Sequence, residues 1–401
     1  VTTAVRRALR AGAGLATALW LTGMLTACGL GLGPADSGAV RDDTPKVSQA
    51  RITVTPADGT RDVEADDPFT VEAEGGRLTS VHVEDGDGDV VEGVFTTDRS
   101  RWHARSRLAL SEKYTVDAVA EDPDGRRAAK HAVFTTLVPK NTLIGYFTPE
   151  DGQTVGTAMI VSLDFNRPVA DREAVERAVR VHSSPPVEIA PHWFGDRRLD
   201  FRPRERWRPG TKVTLSLRLR DVETAPGVYG VQSKDVAFHI GRDQTSTVDA
   251  ATHTLTVRRG GQVVRILPIS AGAPSNPTYN GAMVITEKLR LTRMNGDTVG
   301  FGGEYDIPDV PHAMRLTRSG TFVHGSYWAA PGTFGAANTS HGCVGLFDVK
   351  GGGTATPAGW FFAHSLVGDL VTVVNSHDRV VSPDNGLGGW NMTWEQWVAG
   401  A

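Results

Sequence analysis

The sequence predicts a mostly β protein: two tandem β-sandwiches, then a β-rich third domain with one or two short helices. Three observations carry this expectation. Residues 51 to 241 contain an internal repeat. Short runs of alternating apolar and polar residues, cut by Gly, Pro and Asp, fill both copies. The region after 242 carries further β-like runs and little helical pattern. Length and composition agree, since 401 residues suit two or three domains, and 40% hydrophobic with 22% charged residues is ordinary for a folded chain. A formal net charge of −4 advertises no basic surface for nucleic acid.

Residues 1–27 read as an export signal. Arg6, Arg7 and Arg10 precede a mostly apolar run, Ala11 to Ala27, which is short for a membrane span. Val1 is read as an initiator from an alternative start codon. Leu25-Thr26-Ala27-Cys28 resembles the bacterial lipobox, which implies lipidation of Cys28 and an anchor on the outer face of the cytoplasmic membrane. Arg6-Arg7 also hints at twin-arginine export. Loss of the signal removes three arginines and no acids, leaving a mature charge of about −7. Residues 28–47, rich in Gly, Pro, Asp and Ser, read as a flexible tether reaching into the cell wall.

The repeat defines the next two domains. Thr55-Pro56-Ala57-Asp58-Gly59 recurs as Thr148-Pro149-Glu150-Asp151-Gly152. The run Tyr114–Ala120 matches Val213–Leu219, and Ala132–Leu137 is echoed by Val236–Ile240. Each copy suits a small two-sheet sandwich, so two immunoglobulin-like domains are expected at 48–138 and 139–241. Glu84 to Asp89 looks like a calcium loop. Counted from Asp85, however, Val90 and Thr96 stand where an EF-hand needs Gly and Glu, so a hairpin turn is expected.

The third domain is expected at 242–375. Thr254–Arg259 and Gln262–Leu267 flank Gly260-Gly261, a hairpin signal. Other β-like runs lie at 282–286, 321–324 and 370–374, and a helix is expected over Pro357–Leu366 with Pro near its start. The tail, 376–401, carries Trp390, Trp394 and Trp397, aromatics expected to pack on the second sandwich.

The chain has two cysteines. If Cys28 is acylated, Cys343 has no disulfide partner and the exported fold is held by packing. A thiol kept reduced in this setting is a candidate nucleophile, and it needs a base. His324 and His341 are the nearest histidines. His341 lies two residues away, on the same face if the segment is extended. His324 ends the β-like run Thr321–His324 and is followed by Gly325. Ser340-His341-Gly342-Cys343 ends a Gly/Ala/Asn-rich stretch, consistent with an exposed loop, and Gly342 would leave amides open as an oxyanion hole. A zinc site from His324, His341 and Cys343 lacks the expected ligand spacing, so no metal and no cofactor is expected.

His324, fifteen intervening residues, then Ser340-His341-Gly342-Cys343-Val344 resembles the L,D-transpeptidase signature. Lipobox, two immunoglobulin-like domains, β-rich catalytic domain and Trp-rich tail together resemble the large actinobacterial members. The resemblance implies a β-sandwich catalytic domain and a peptidoglycan substrate. Cys343 would attack a tetrapeptide stem at the carbonyl between diaminopimelate and D-alanine, and a second stem's amine would resolve the thioester as a 3→3 cross-link. It implies His324 as base, oriented by the Gly325 carbonyl, with His341, Gly342 and Cys343 shaping the site. Met294, Tyr305, Ser319, Gly320 and Ser340 fall where substrate binds, and carbapenem β-lactams are implied as covalent inhibitors. Gly345 departs from the pattern, which carries Arg or Asn there. Two other readings stay open: an L,D-carboxypeptidase using water, and a non-catalytic cell-wall-binding lipoprotein.

Overall fold

The computed structural model describes residues 47–300 and 302–400. The signal, Cys28 and nearly all of the tether lie outside the described residues. The architecture is mostly β throughout.

The first sandwich faces a four-stranded sheet, in the order 51–55, 70–74, 101–104 and 93–95, against a three-stranded one, in the order 77–84, 113–121 and 127–135. Alternation along Lys113–Glu121 buries Tyr114, Val116, Ala118 and Ala120 and turns their neighbours outward. Phe69, Trp102, Tyr114 and Phe134 fill the core, with Tyr114 stacked on Phe134 at 5.4 Å. The acidic segment after Glu84 is a turn, in which Asp85 Oδ1 accepts the amides of Asp87 and Asp89.

The second sandwich is built from two four-stranded sheets. The repeat is visible in its anchoring turn. Asp58 Oδ1 accepts the Val133 amide, and Gly59 N–H donates to Val133 O at 2.7 Å. In the second copy Asp151 Oδ1 accepts the Ala237 amide, and Gly152 N–H donates to Ala237 O, again at 2.7 Å. Gly59 and Gly152 adopt φ of 78° and 75°, which is why Gly follows Asp in both. A short helix, Arg172–Ala178, is capped by Asp171.

The third region is a nine-stranded succession, 281–284, 370–374, 244–249, 254–259, 262–270, 344–347, 322–326, 306–315 and 287–295. Strand Gln262–Ser270 joins its halves. Its first part pairs with Thr254–Arg259, and Ile269 and Ser270 pair with Leu346 and Gly345. Both halves supply one core, with Val257, Leu267 and Val371 packed in a cluster with Met314, Val323 and Leu346. The helix Pro357–His364 starts at its Thr356 cap and stops two residues short of the expected end.

The tail runs back to the second sandwich. Trp397 is fully buried. Its indole N–H donates to Ala190 O at 3.0 Å, and its ring stacks on His192 at 4.7 Å. Trp390 Nε1 donates to Ala158 O at 2.7 Å. The Arg202 guanidinium sits between 4.6 and 5.4 Å from the rings of Trp390, Trp394 and Trp397.

Candidate functional site

His324 lies inside the sheet. Its strand, Phe322–Ser326, pairs antiparallel with Asp306–Arg315 and parallel with Val344–Phe347, with His324 opposite Gly345. His324 is only 5% exposed. Nδ1 lies 2.9 Å from Gly325 O. A carbonyl only accepts, so Nδ1 carries the proton and Nε2 keeps its lone pair. Burial lowers the His324 pKa, and the Gly325 hydrogen bond opposes that in part. Trp328 stacks on the ring at 5.6 Å and 20°.

Cys343 stands at the far end of the loop that returns the chain to the next strand. Asn338 pins that loop: its side chain donates to Ala250 O and accepts the Ala271 amide, both at 2.9 Å. Ser340 Oγ donates to Cys343 O at 2.6 Å and accepts the Gly342 amide at 3.2 Å. The sequence suggested that Gly342 would leave its amide open; the structure turns it toward Ser340. Gly342 itself sits at φ 108°, a conformation that favours glycine. The Cys343 thiol, part-buried, lies 3.6 Å from Gly320 O. Burial pushes its pKa up to about 11, and the Phe322 backbone N–H pulls the other way. Thiol and imidazole are therefore both neutral near pH 7.

The thiol and the His324 ring line one cavity of about 320 Å³, shared with Met294, Tyr305, Trp328 and Phe334. A second cavity of about 300 Å³ is lined by Ser319, Gly320, Gly342 and Asp378. Tyr305 and His341 line both, so they form the wall between them. His341 Nε2 lies 2.9 Å from Glu304 Oε2, and its ring is 5.0 Å from Tyr305. Met294 and Tyr305 sit at the base of the hairpin loop between Glu287–Asn295 and Asp306–Arg315. The sequence-selected residues Met294, Tyr305, Ser319, Gly320, His324, Ser340, His341, Gly342 and Cys343 thus all border one of the two cavities. Gly325 lies behind His324 and acts through its carbonyl.

Gly345 also lines the first cavity. A Cβ there would meet Ser270 O, Ser326 and Phe334 at ordinary distances of 3.5 to 3.8 Å. The backbone does not demand glycine; its absent side chain opens the cavity floor. Sequence reasoning missed Trp328, Glu304 and Asn338, which act through contacts distant in the chain or lie in loops without pattern. Among the described residues no group of three His, Cys, Asp or Glu is placed to hold a metal ion.

A neutral thiol and a neutral imidazole facing one cavity suit nucleophilic acyl transfer. Sequence comparisons place the chain among acyltransferases of one family. Residues 243–373 match the L,D-transpeptidase catalytic domain, and residues 60–223 match a bacterial Ig domain. L,D-transpeptidase 2 of Mycobacterium tuberculosis (strain CDC 1551 / Oshkosh) is 34% identical over 395 residues, 96% of this chain and 94% of that protein. L,D-transpeptidase 5 of Mycobacterium tuberculosis (strain ATCC 25618 / H37Rv) is 31% identical, over 87% of this chain and 76% of that protein. A solved L,D-transpeptidase in complex with imipenem is 30% identical, covering 59% of this chain and 100% of that one, with a TM-score of 0.48. The chain belongs to the L,D-transpeptidase family.

Proposed function

We propose that the protein forms 3→3 cross-links in peptidoglycan through a thioester on Cys343. The observation that carries this reading is the shared cavity of Cys343 and His324, with His324 Nε2 free to accept a proton. With the thiol near 11 and the imidazole below its usual value, no thiolate–imidazolium pair is stored at rest. Proton transfer to Nε2 accompanies attack of the sulfur on the carbonyl between diaminopimelate and D-alanine. The C–N bond then breaks, the proton passes from His324 to the departing amine, and D-alanine leaves. A diaminopimelate side-chain amine of a second stem attacks the thioester, loses its proton to His324, and the thiol is restored. Because Gly342 N–H is engaged by Ser340, the Cys343 amide is the oxyanion donor beside the sulfur in this reading.

In this reading Cys28 carries a lipid, and the two sandwiches hold the site above the membrane within the wall. Carbapenems enter the same cavity, their β-lactam carbonyl standing in for the scissile one. Incubation with a disaccharide-tetrapeptide tests the reading. Cross-linked dimer with one D-alanine released per bond is expected, and His324→Ala is expected to slow it by about 10²- to 10⁴-fold. Tripeptide alone would mean that water is the acceptor and would overturn the transpeptidase assignment.

A further inference from the structure

We propose that Asn385 and Arg198, neither of which touches the reacting atoms, are positioning residues for the active-site turn 317–320. The inference rests on the acyl-transfer reading above and extends it into the second sandwich and the tail.

The turn presents Gly320 O to the Cys343 thiol and Ser319 to the second cavity. Its own bonds close the hairpin: Leu316 and Thr317 N–H donate to Thr321 O at 2.9 and 3.3 Å, Thr321 N–H to Thr317 Oγ1 at 2.8 Å, and Gly320 N–H to Thr317 O at 3.4 Å, while the Thr317 and Ser319 hydroxyls lie 3.2 Å apart. The tail grips it from outside. Asn385 Oδ1 accepts the Ser319 amide at 2.9 Å, and Asn385 Nδ2 donates to Ser319 Oγ at 2.8 Å. Gly386, at φ 93°, passes so close that a Cβ would stand 2.7 Å from Leu316 O.

The tail segment is itself held by a buried charge. Arg198 of the second sandwich donates to Asp384 O at 2.8 Å and to Gly386 O at 2.6 Å, the carbonyls on either side of Asn385. Arg198 is 4% exposed and its partner Asp200 is fully buried. Asp200 accepts from Arg198 Nε at 2.9 Å and Nη2 at 2.6 Å, and from Ser162 Oγ at 2.6 Å. A chain of hydrogen bonds thus runs from the sandwich core to the turn without a gap. A second tie, Arg318 to Asp164 at 2.5 and 2.7 Å, joins the same turn to the same sandwich. A fork of donors spent on two backbone carbonyls fixes one loop conformation, and that loop fixes the turn.

Two readouts test this on the full chain. Amide exchange at Ser319–Thr321 is expected to be slow in the wild type and faster in both Asn385→Ala and Arg198→Met. In donor kinetics, Asn385→Ala is expected to raise KM about tenfold and to lower kcat by less, since the turn lines the binding cavity and reaches the thiol only through Gly320 O, while His324 is untouched. Asn385→Asp is expected to restore KM, because a carboxylate accepts from both the Ser319 amide and its hydroxyl. Asp164→Ala, at an exposed ion pair, keeps the fold and is expected to speed exchange at the same amides to a lesser degree. Unchanged exchange in Asn385→Ala and Asp164→Ala, or an unchanged KM in folded Asn385→Ala, overturns the proposal. If the wild type itself forms no product, the acyl-transfer reading fails, while the exchange data still decide whether the turn is clamped.

Discussion

The two sandwiches share one repeat, yet they are joined to the rest of the chain in opposite ways. The first meets the second through a small cluster of Ala65, Leu110, Leu137 and Tyr229, with side-chain bonds from Tyr229 Oη to Glu64 at 2.6 Å and from the Leu110 N–H to the Asp221 carboxylate. The second shares a continuous apolar core with the third domain and the tail: Val284, Leu387 and Trp397 belong to the same cluster as Val161, Leu199 and Phe238. Burial of that extent removes several large side chains from water together. The first sandwich is therefore attached, and the second is part of the body that carries the site.

Four perturbations bear on that contrast. The largest is Trp397→Ala. Loss of a fully buried indole is expected to cost about 3–5 kcal/mol, read by calorimetry as a drop in one transition shared by the second sandwich and catalytic domain. A drop confined to either domain alone would break the contrast. Next comes Arg198→Met, which strands the Asp200 carboxylate in the interior and is expected to cost about 3 kcal/mol in the same transition.

The third concerns pH. His324 must be neutral to act as base, and burial holds its pKa below the usual 6.5. Acylation is expected to hold steady as pH falls to about 6.5 and to decline only below it. The sign for stability follows the same shift: below about 6.5 the unfolded chain binds the proton first, so acid weakens the fold. The contrast predicts an identical acid limb in Tyr229→Phe. That substitution is the smallest of the four, removing one bond between the sandwiches at about 1 kcal/mol, with kcat/KM unchanged. A changed kcat/KM there would mean that the first sandwich also shapes the site.

What was legible in the sequence was local. The repeat could be read because Asp58 and Asp151 do the same work in the same turn. The hairpin around Gly260-Gly261 was legible from its turn residues. That Cys343 and His324 share one cavity was legible because a signature fixes their spacing. The helix Arg172–Ala178 was not anticipated, being barely two turns long, too short for a periodic pattern to stand out. Asn338 and Asn385 were missed for a different reason. Each works through partners 66 to 88 residues away, and nothing in a chain's local pattern marks such a contact. The Gly342 amide was read as open because sequence shows the glycine but not the serine hydroxyl folded back on it.

The most direct test of the account is the intact mass of the folded chain after exposure to a carbapenem, with the site of modification mapped by peptide digestion. One covalent equivalent is expected, located on Cys343 and absent from Cys343→Ala. An unmodified wild type, or an adduct that persists in Cys343→Ala, would contradict it.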